Sequence, residues 1–254
     1  MTIATAPPHP LPVRTRRRWA GWTAVLLTSL AIAAYSVTPY LTSSLRALTD
    51  EGFGLASAYV DQPAAVRAAF YVHVVGGGLA LLLGPWQFWA GLRRRLPRVH
   101  RWTGRTYLTA VGVGGVASLV MAPFNSVGFV GFFGFGTLGV LWLWTGWRGY
   151  RAIRSGDVRA HQAWMIRNFA CTFAAVTLRA WTGLLLGIQI PFVDGGAGVE
   201  AAFANAYAAV PFLAWLPNLV VAELMVRRRG LPALRIVDPA MPAAGYARTE
   251  VVEK

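Results

Sequence analysis

The sequence predicts an all-α integral membrane protein: six transmembrane helices in a bundle, with N- and C-termini cytoplasmic. Three observations carry this prediction. The 254 residues are 56% hydrophobic and only 13% charged, where a soluble domain carries about 25% charged residues. Six stretches stay apolar over the roughly 20 residues that a helix needs to cross the hydrocarbon core. The basic residues collect in alternate loops near the ends of those stretches, where lysine and arginine set membrane orientation.

The elements follow in order. Segment 1–18 holds Pro7, Pro8, Pro10 and Pro12 with Arg14, Arg16, Arg17 and Arg18, and reads as a disordered basic tail. A transmembrane domain spans 19–229. Its first helix, at 19–41, is too long for a signal-peptide core and reads as retained. The outer segment 42–63 has room for a short surface helix. The second helix covers 64–92 and the third 104–124. A tight turn at Pro123-Phe124-Asn125 makes the third and fourth (126–150) antiparallel neighbours. The fifth, 161–187, and sixth, 205–226, flank a Gly-rich outer loop at 188–204. Gly230 and Pro232 then end the last helix, and 230–254 reads as a flexible cytoplasmic tail.

Charge fixes the orientation expected. With both termini inside, twenty of the 24 basic residues fall in the inner segments, and the outer loops keep only Arg46 and Arg67 against five acidic residues. On a soluble chain the net charge of +14 would suit nucleic acid. Here the arginines form short clusters between apolar stretches, so nucleic acid is excluded. The expected partners are the lipid bilayer of the plasma membrane and acidic headgroups at its cytoplasmic face. A membrane-protein partner or a homo-oligomer stays open.

Small residues recur at every fourth position as Gly76, Ala80 and Gly84, and as Ala110, Gly114 and Ser118, a spacing that lets membrane helices approach closely. Gly134, Gly136 and Gly139 spell GxGxxG, but no strand precedes them, so they read as packing. The lone Cys171 supports no disulfide framework. No Ser-His-carboxylate set points to a hydrolase, and no metal site is expected, because His73 lies on the opposite membrane face from His100 and His161.

Ionisable and polar residues within membrane helices mark candidate sites because they are costly at depth. On the second helix His73 and Gln87 share a face. On the fifth, His161, Asn168, Thr172 and Arg179 project within about 20° of one another in a continuous helix. Together these form a polar seam of His73, Gln87, Asn168, Thr172 and Arg179. Arg167 and Glu223 lie near the inner boundary as a candidate ion pair.

Several motifs resemble one family. Leu83-Gly84-Pro85-Trp86-Gln87-Phe88, the run from Pro97 to Tyr107, His161 to Arg167, Thr177-Leu178-Arg179, and Trp215 to Leu219 with Glu223 are similar to domain of unknown function 2306. The resemblance covers about residues 64–226 and implies a multi-pass bacterial membrane protein, with no substrate attached.

Three functional readings stay open. His100 and His161 each open a helix on the inner side, and with Arg101, Arg105 and Arg167 close by they could hold a b-type haem for membrane electron transfer. The layout is similar to that of two-haem membrane cytochromes. The fourth helix has no histidine, however, so any haem is single. Alternatively, His73 and Arg179, at comparable depth, form a proton-coupled or small-anion carrier site. The third reading is a structural or accessory scaffold.

Overall fold

A computed structural model describes residues 13–234, with side chains from Trp19 onward. The remainder of the two expected tails, 1–12 and 235–254, lies outside the described residues. Eleven α-helices are described: α1 (Val13–Thr42), α2 (Leu45–Asp50), α3 (Ala56–Tyr59), α4 (Ala64–Gln87), α5 (Ala90–Arg95), α6 (Pro97–Met121), α7 (Gly128–Arg154), α8 (Val158–Thr172), α9 (Ala174–Gln189), α10 (Gly195–Leu213) and α11 (Leu216–Arg228). No strand occurs among the described residues.

Six segments are long and apolar enough to cross a membrane: Trp19–Thr42, Ala64–Gln87, Pro97–Phe124, Gly128–Arg154, Val158–Phe192 and Gly195–Arg228. Their outward faces carry exposed Val113, Val116, Leu184, Ile188, Val220 and Val221. Such faces suit lipid, which cannot satisfy polar groups. The chain is a multi-pass membrane protein.

Close packing comes from the small residues. A Cβ on Gly76 would stand 3.1 Å from the Gly114 Cα and 3.2 Å from the Ala110 carbonyl oxygen, so α4 and α6 touch backbone to backbone. On α7, Gly134 faces Pro211, Gly139 faces Ser118 and Leu119, and Gly149 faces Met165. The glycines of the GxGxxG pattern therefore lie inside a helix against neighbouring helices. At the end away from the arginine clusters, α2 and α3 form a cap. There Tyr40, Tyr59 and Phe70 are buried together, and the Tyr59 ring stacks on Phe70 at 4.7 Å.

Four expectations are corrected. Helix α1 starts at Val13, inside the segment read as tail. The second helix stops at Gln87 after Pro85, and α6 begins at Pro97 rather than 104, because proline suits a first helical turn. The Gly-rich loop at 188–204 is mostly helix: α10 starts at Gly195, and its Ala-rich stretch packs on α9, where Asn205 Nδ2 donates to Gln189 Oε1 at 2.7 Å. The fifth and sixth spans are each interrupted, at Phe173 and at Ala214–Trp215.

The two interruptions meet. Asn218 Nδ2 lies 3.2 Å from the Ala170 carbonyl, 3.1 Å from the Ala214 carbonyl and 2.9 Å from Thr177 Oγ1. Thr177 Oγ1 in turn donates to the Ala214 carbonyl at 2.5 Å. Carbonyls released at both breaks are thus satisfied by side chains of the neighbouring span, as hydrocarbon surroundings require.

Candidate functional site

The polar residues separate into three groups. The first is a buried network joining α6, α7 and α8. Tyr107 hydroxyl donates to Asn168 Oδ1 at 2.7 Å and lies 2.8 Å from Thr172 Oγ1. Asn168 Nδ2 donates to the Trp142 carbonyl at 2.8 Å and to Thr145 Oγ1 at 2.9 Å. Trp142 Nε1 donates to Thr172 Oγ1 at 2.9 Å. Gly146 makes room for this arrangement, since a Cβ there would meet Asn168 Nδ2 at 3.3 Å. Both Nδ2 hydrogens and the Oδ1 of the Asn168 amide are engaged within the protein. The polarity of Asn168 and Thr172 goes into joining three helices.

His73 approaches this network from α4. Its Nδ1 lies 2.9 Å from the Gly114 carbonyl, and its ring meets Trp142 edge-on at 6.2 Å. Gly114 at the close α4–α6 crossing brings that carbonyl within reach. Gln87, lower on α4, donates to Thr103 Oγ1 at 2.8 Å.

Arg179 stands apart. Helix α8 ends at Thr172 and α9 begins at Ala174. Beyond that break Arg179 has none of the partners of Asn168 and Thr172, so the stripe expected along one continuous helix ends at Thr172. Arg179 Nη1 donates to the Ala175 carbonyl at 2.7 Å, and the guanidinium lies 5.9 Å from the Tyr35 ring centroid on α1. Each hydrogen bond of His73 and of Arg179 ends on a different partner, and none joins the two. Among the described residues no carboxylate lies within ion-pair distance of Arg179.

The third group gathers at the arginine-rich end. His161 Nδ1 lies 2.9 Å from the Gly149 carbonyl, which the missing Gly149 side chain brings close to α8. His100 at the start of α6 has Arg93, His161 and Arg101 near it. Its Nδ1 is buried and makes no hydrogen bond among the described residues. Arg105, one turn further along α6, lies over Trp102 at 5.3 Å. Partial burial, then the nearby Arg229 and Arg94, pull the Arg93 guanidinium below its ordinary value. This region is therefore short of negative charge.

Close by, Arg167 forms a buried ion pair with Glu223: Nε and Nη2 donate to Oε2 at 3.0 and 2.6 Å. Arg227 shares the carboxylate at 3.5 Å. Sequence reasoning missed Tyr107, Trp142 and Asn218 as parts of the polar framework. Tyrosine and tryptophan read as apolar bulk, and nothing in a single sequence reveals which carbonyl needs an amide.

The groups bring their own constraints to any cofactor. No group of three or more His, Cys, Asp or Glu side chains able to hold a metal ion occurs among the described residues. Beyond metal clusters of that kind, the arginine-rich end offers two histidines, His100 with an unbonded Nδ1 and His161 held by the Gly149 carbonyl.

No curated protein and no solved structure matches the chain. One family model, described as "Predicted membrane protein (DUF2306)", matches residues 70–226, and this stretch contains α5 to α10 entire with most of α4 and α11. Covering well over half of the sequence and every residue of the buried network, that match shows that the chain belongs to the DUF2306 membrane protein family.

Proposed function

We propose that this is a plasma-membrane protein with both termini in the cytoplasm, which holds one b-type haem between His100 and His161 and serves membrane electron transfer. The orientation rests on the arginine clusters, which the positive-inside rule places in the cytoplasm. The observation that carries the haem reading is the buried, unbonded Nδ1 of His100 beside a histidine already oriented by a backbone carbonyl. With His161 Nδ1 protonated towards Gly149, its Nε2 keeps a free lone pair, the usual arrangement for a metal-ligating histidine. Haem would supply a reversible one-electron couple there. Arg93 and Arg101, with Arg105 one turn on, would neutralise its propionates, and few carboxylates compete for them. The buried Tyr107–Asn168 network holds α6 and α8 at a fixed separation, which keeps the two histidines in register.

Detergent-purified protein incubated with hemin and then separated from the excess should carry the sharp Soret band of bound, bis-histidine haem, distinct from the broad band of free hemin. His100→Ala and His161→Ala should abolish it, whereas His73→Ala should retain it. Absence of the band in the unmodified protein would overturn the reading.

A second reading, a small-anion or proton-coupled carrier, is favoured by Arg179, a membrane arginine facing a tyrosine ring rather than a carboxylate. In liposomes, uptake of small inorganic anions that persists unchanged in Arg179→Leu would dispose of it.

A further inference from the structure

The arginine-rich end also bears an open cavity of about 830 Å³, whose wall includes Arg148, Arg159, Trp164, Arg167 and Arg227 with residues 230–234. Four guanidiniums face it and one carboxylate serves them. Glu223 Oε2 is taken by Arg167, and Oε1 by Arg227 and the Leu234 backbone N–H at 3.2 Å. Arg148 and Arg167 lie on the Trp164 ring, each 4.9 Å from its centroid. Arg159 donates to the Gly230 carbonyl. Neither Arg148 nor Arg159 has a carboxylate partner among the described residues.

A second cavity of about 520 Å³ adjoins the first through Arg148, Ala160 and Trp164, and adds Arg151 and Asp157. Asp157 does not offset the excess charge within the cavity by pairing with an arginine. Its carboxylate accepts from the Ala160 N–H at 2.8 Å and caps α8. A concave wall of guanidiniums is suited to phosphate oxygens, which accept several charge-assisted hydrogen bonds at once.

Phosphate can arrive free or on a lipid. Beside Arg148 and Arg151, the outward face of α7 presents Val140, Trp144, Trp147 and Tyr150, all exposed. Arg151 lies over Trp147 at 5.6 Å, and Arg148 over Trp144 at 5.9 Å. Tryptophan and tyrosine at this level form the aromatic belt of a membrane–water interface. The cationic cavity is thus continuous with a lipid-facing apolar surface, an arrangement a soluble anion would not use.

The geometry points to a specific phospholipid site: the cavity takes the phosphate headgroup of an anionic phospholipid, whose acyl chains lie along the outward face of α7. This inference is independent of the haem reading.

The test uses full-length protein in mixed phosphatidylglycerol/phosphatidylcholine nanodiscs, with the lipid retained on the protein counted by native mass spectrometry. About tenfold enrichment of phosphatidylglycerol is expected. It should vanish in Arg148→Gln/Arg159→Gln, persist in Arg148→Lys/Arg159→Lys, and persist in Arg94→Gln/Arg95→Gln, which removes the same charge elsewhere on the same end. Equal loss in both glutamine variants would mean diffuse surface charge and overturn the site. Retention in Arg148→Gln/Arg159→Gln would overturn it as well. Full displacement of the lipid by inorganic phosphate would reassign the cavity to a free anion. If the Arg148→Gln/Arg159→Gln protein fails to fold, the phosphate competition and the Arg94→Gln/Arg95→Gln variant still decide the matter.

Discussion

The Asn168 side-chain oxygen sits 2.7 Å from the Tyr107 hydroxyl, joining α8 to α6 across 61 positions of sequence. Asn168 has no exposed surface, and Tyr107 is 1% exposed. The bond is surrounded by Trp142, Thr145 and Thr172, so losing one member leaves the others short of a partner. Asn168→Ala should therefore lower stability by about 2 kcal/mol, mostly through orphaned polar groups rather than the lost bond alone. Thermal melting in detergent measures this. An unchanged melting temperature would show that water replaces the amide.

Gly76 offers a purely steric test. A methyl group there would press on the backbone of Gly114 rather than on a side chain that could rotate away. Gly76→Ala should cost about 1–3 kcal/mol by overpacking, and it should also disturb the His73–Gly114 contact one turn away. By contrast, Gly77→Ala meets nothing within 4 Å and should be close to neutral. Melting curves of the pair separate crowding from helix propensity.

The Arg167–Glu223 pair should respond asymmetrically. Arg167's side chain is 5% exposed, so Glu223→Gln leaves a buried guanidinium without its counter-charge, at a cost of about 3 kcal/mol. Adding Arg167→Met should recover part of that loss. A double-mutant cycle on unfolding free energies reads the coupling directly, and an additive cycle would contradict the pair.

Alkaline pH should loosen the cap at the opposite end. Burial pushes the Tyr59 phenol up from 10.0 to about 12. The folded state therefore keeps its proton over a range where the unfolded chain has lost it. Tyr59's contribution is fully present below pH 10 and falls away as pH rises towards 12, with a slope of at most about 1.4 kcal/mol per pH unit. Tyr59→Phe should flatten this dependence in melting experiments between those limits.

Much of the fold was legible in the residues. Apolar runs long enough to span a bilayer announced the helices, because hydrocarbon tolerates only backbone that satisfies itself. The Pro123–Asn125 turn was equally plain: Asn125 accepts from the Val127 N–H at 2.8 Å and donates to the Ala122 carbonyl at 2.8 Å. The break at Ala214–Trp215 had a visible signal in Pro217, which lacks an N–H to donate. The break at Phe173 had none, since Thr172-Phe173-Ala174 contains neither proline nor glycine. It is seen only with Asn218 of the neighbouring span placed beside the Ala170 carbonyl.

The polar residues show the same division. Composition and helical spacing by themselves singled out His73, Asn168, Thr172 and Arg179 as costly groups at membrane depth, and they marked the arginine-rich ends of the helices. Tertiary structure decided which helices those groups join: Asn168 and Thr172 bind Tyr107 and Trp142, His73 turns to Gly114, and Arg179 faces Tyr35. A helical wheel assumes one straight axis and knows nothing of neighbours. The ladder is interrupted at Phe173, and Gly114, Tyr107, Trp142 and Tyr35, which meet His73, Asn168, Thr172 and Arg179, are distant in sequence.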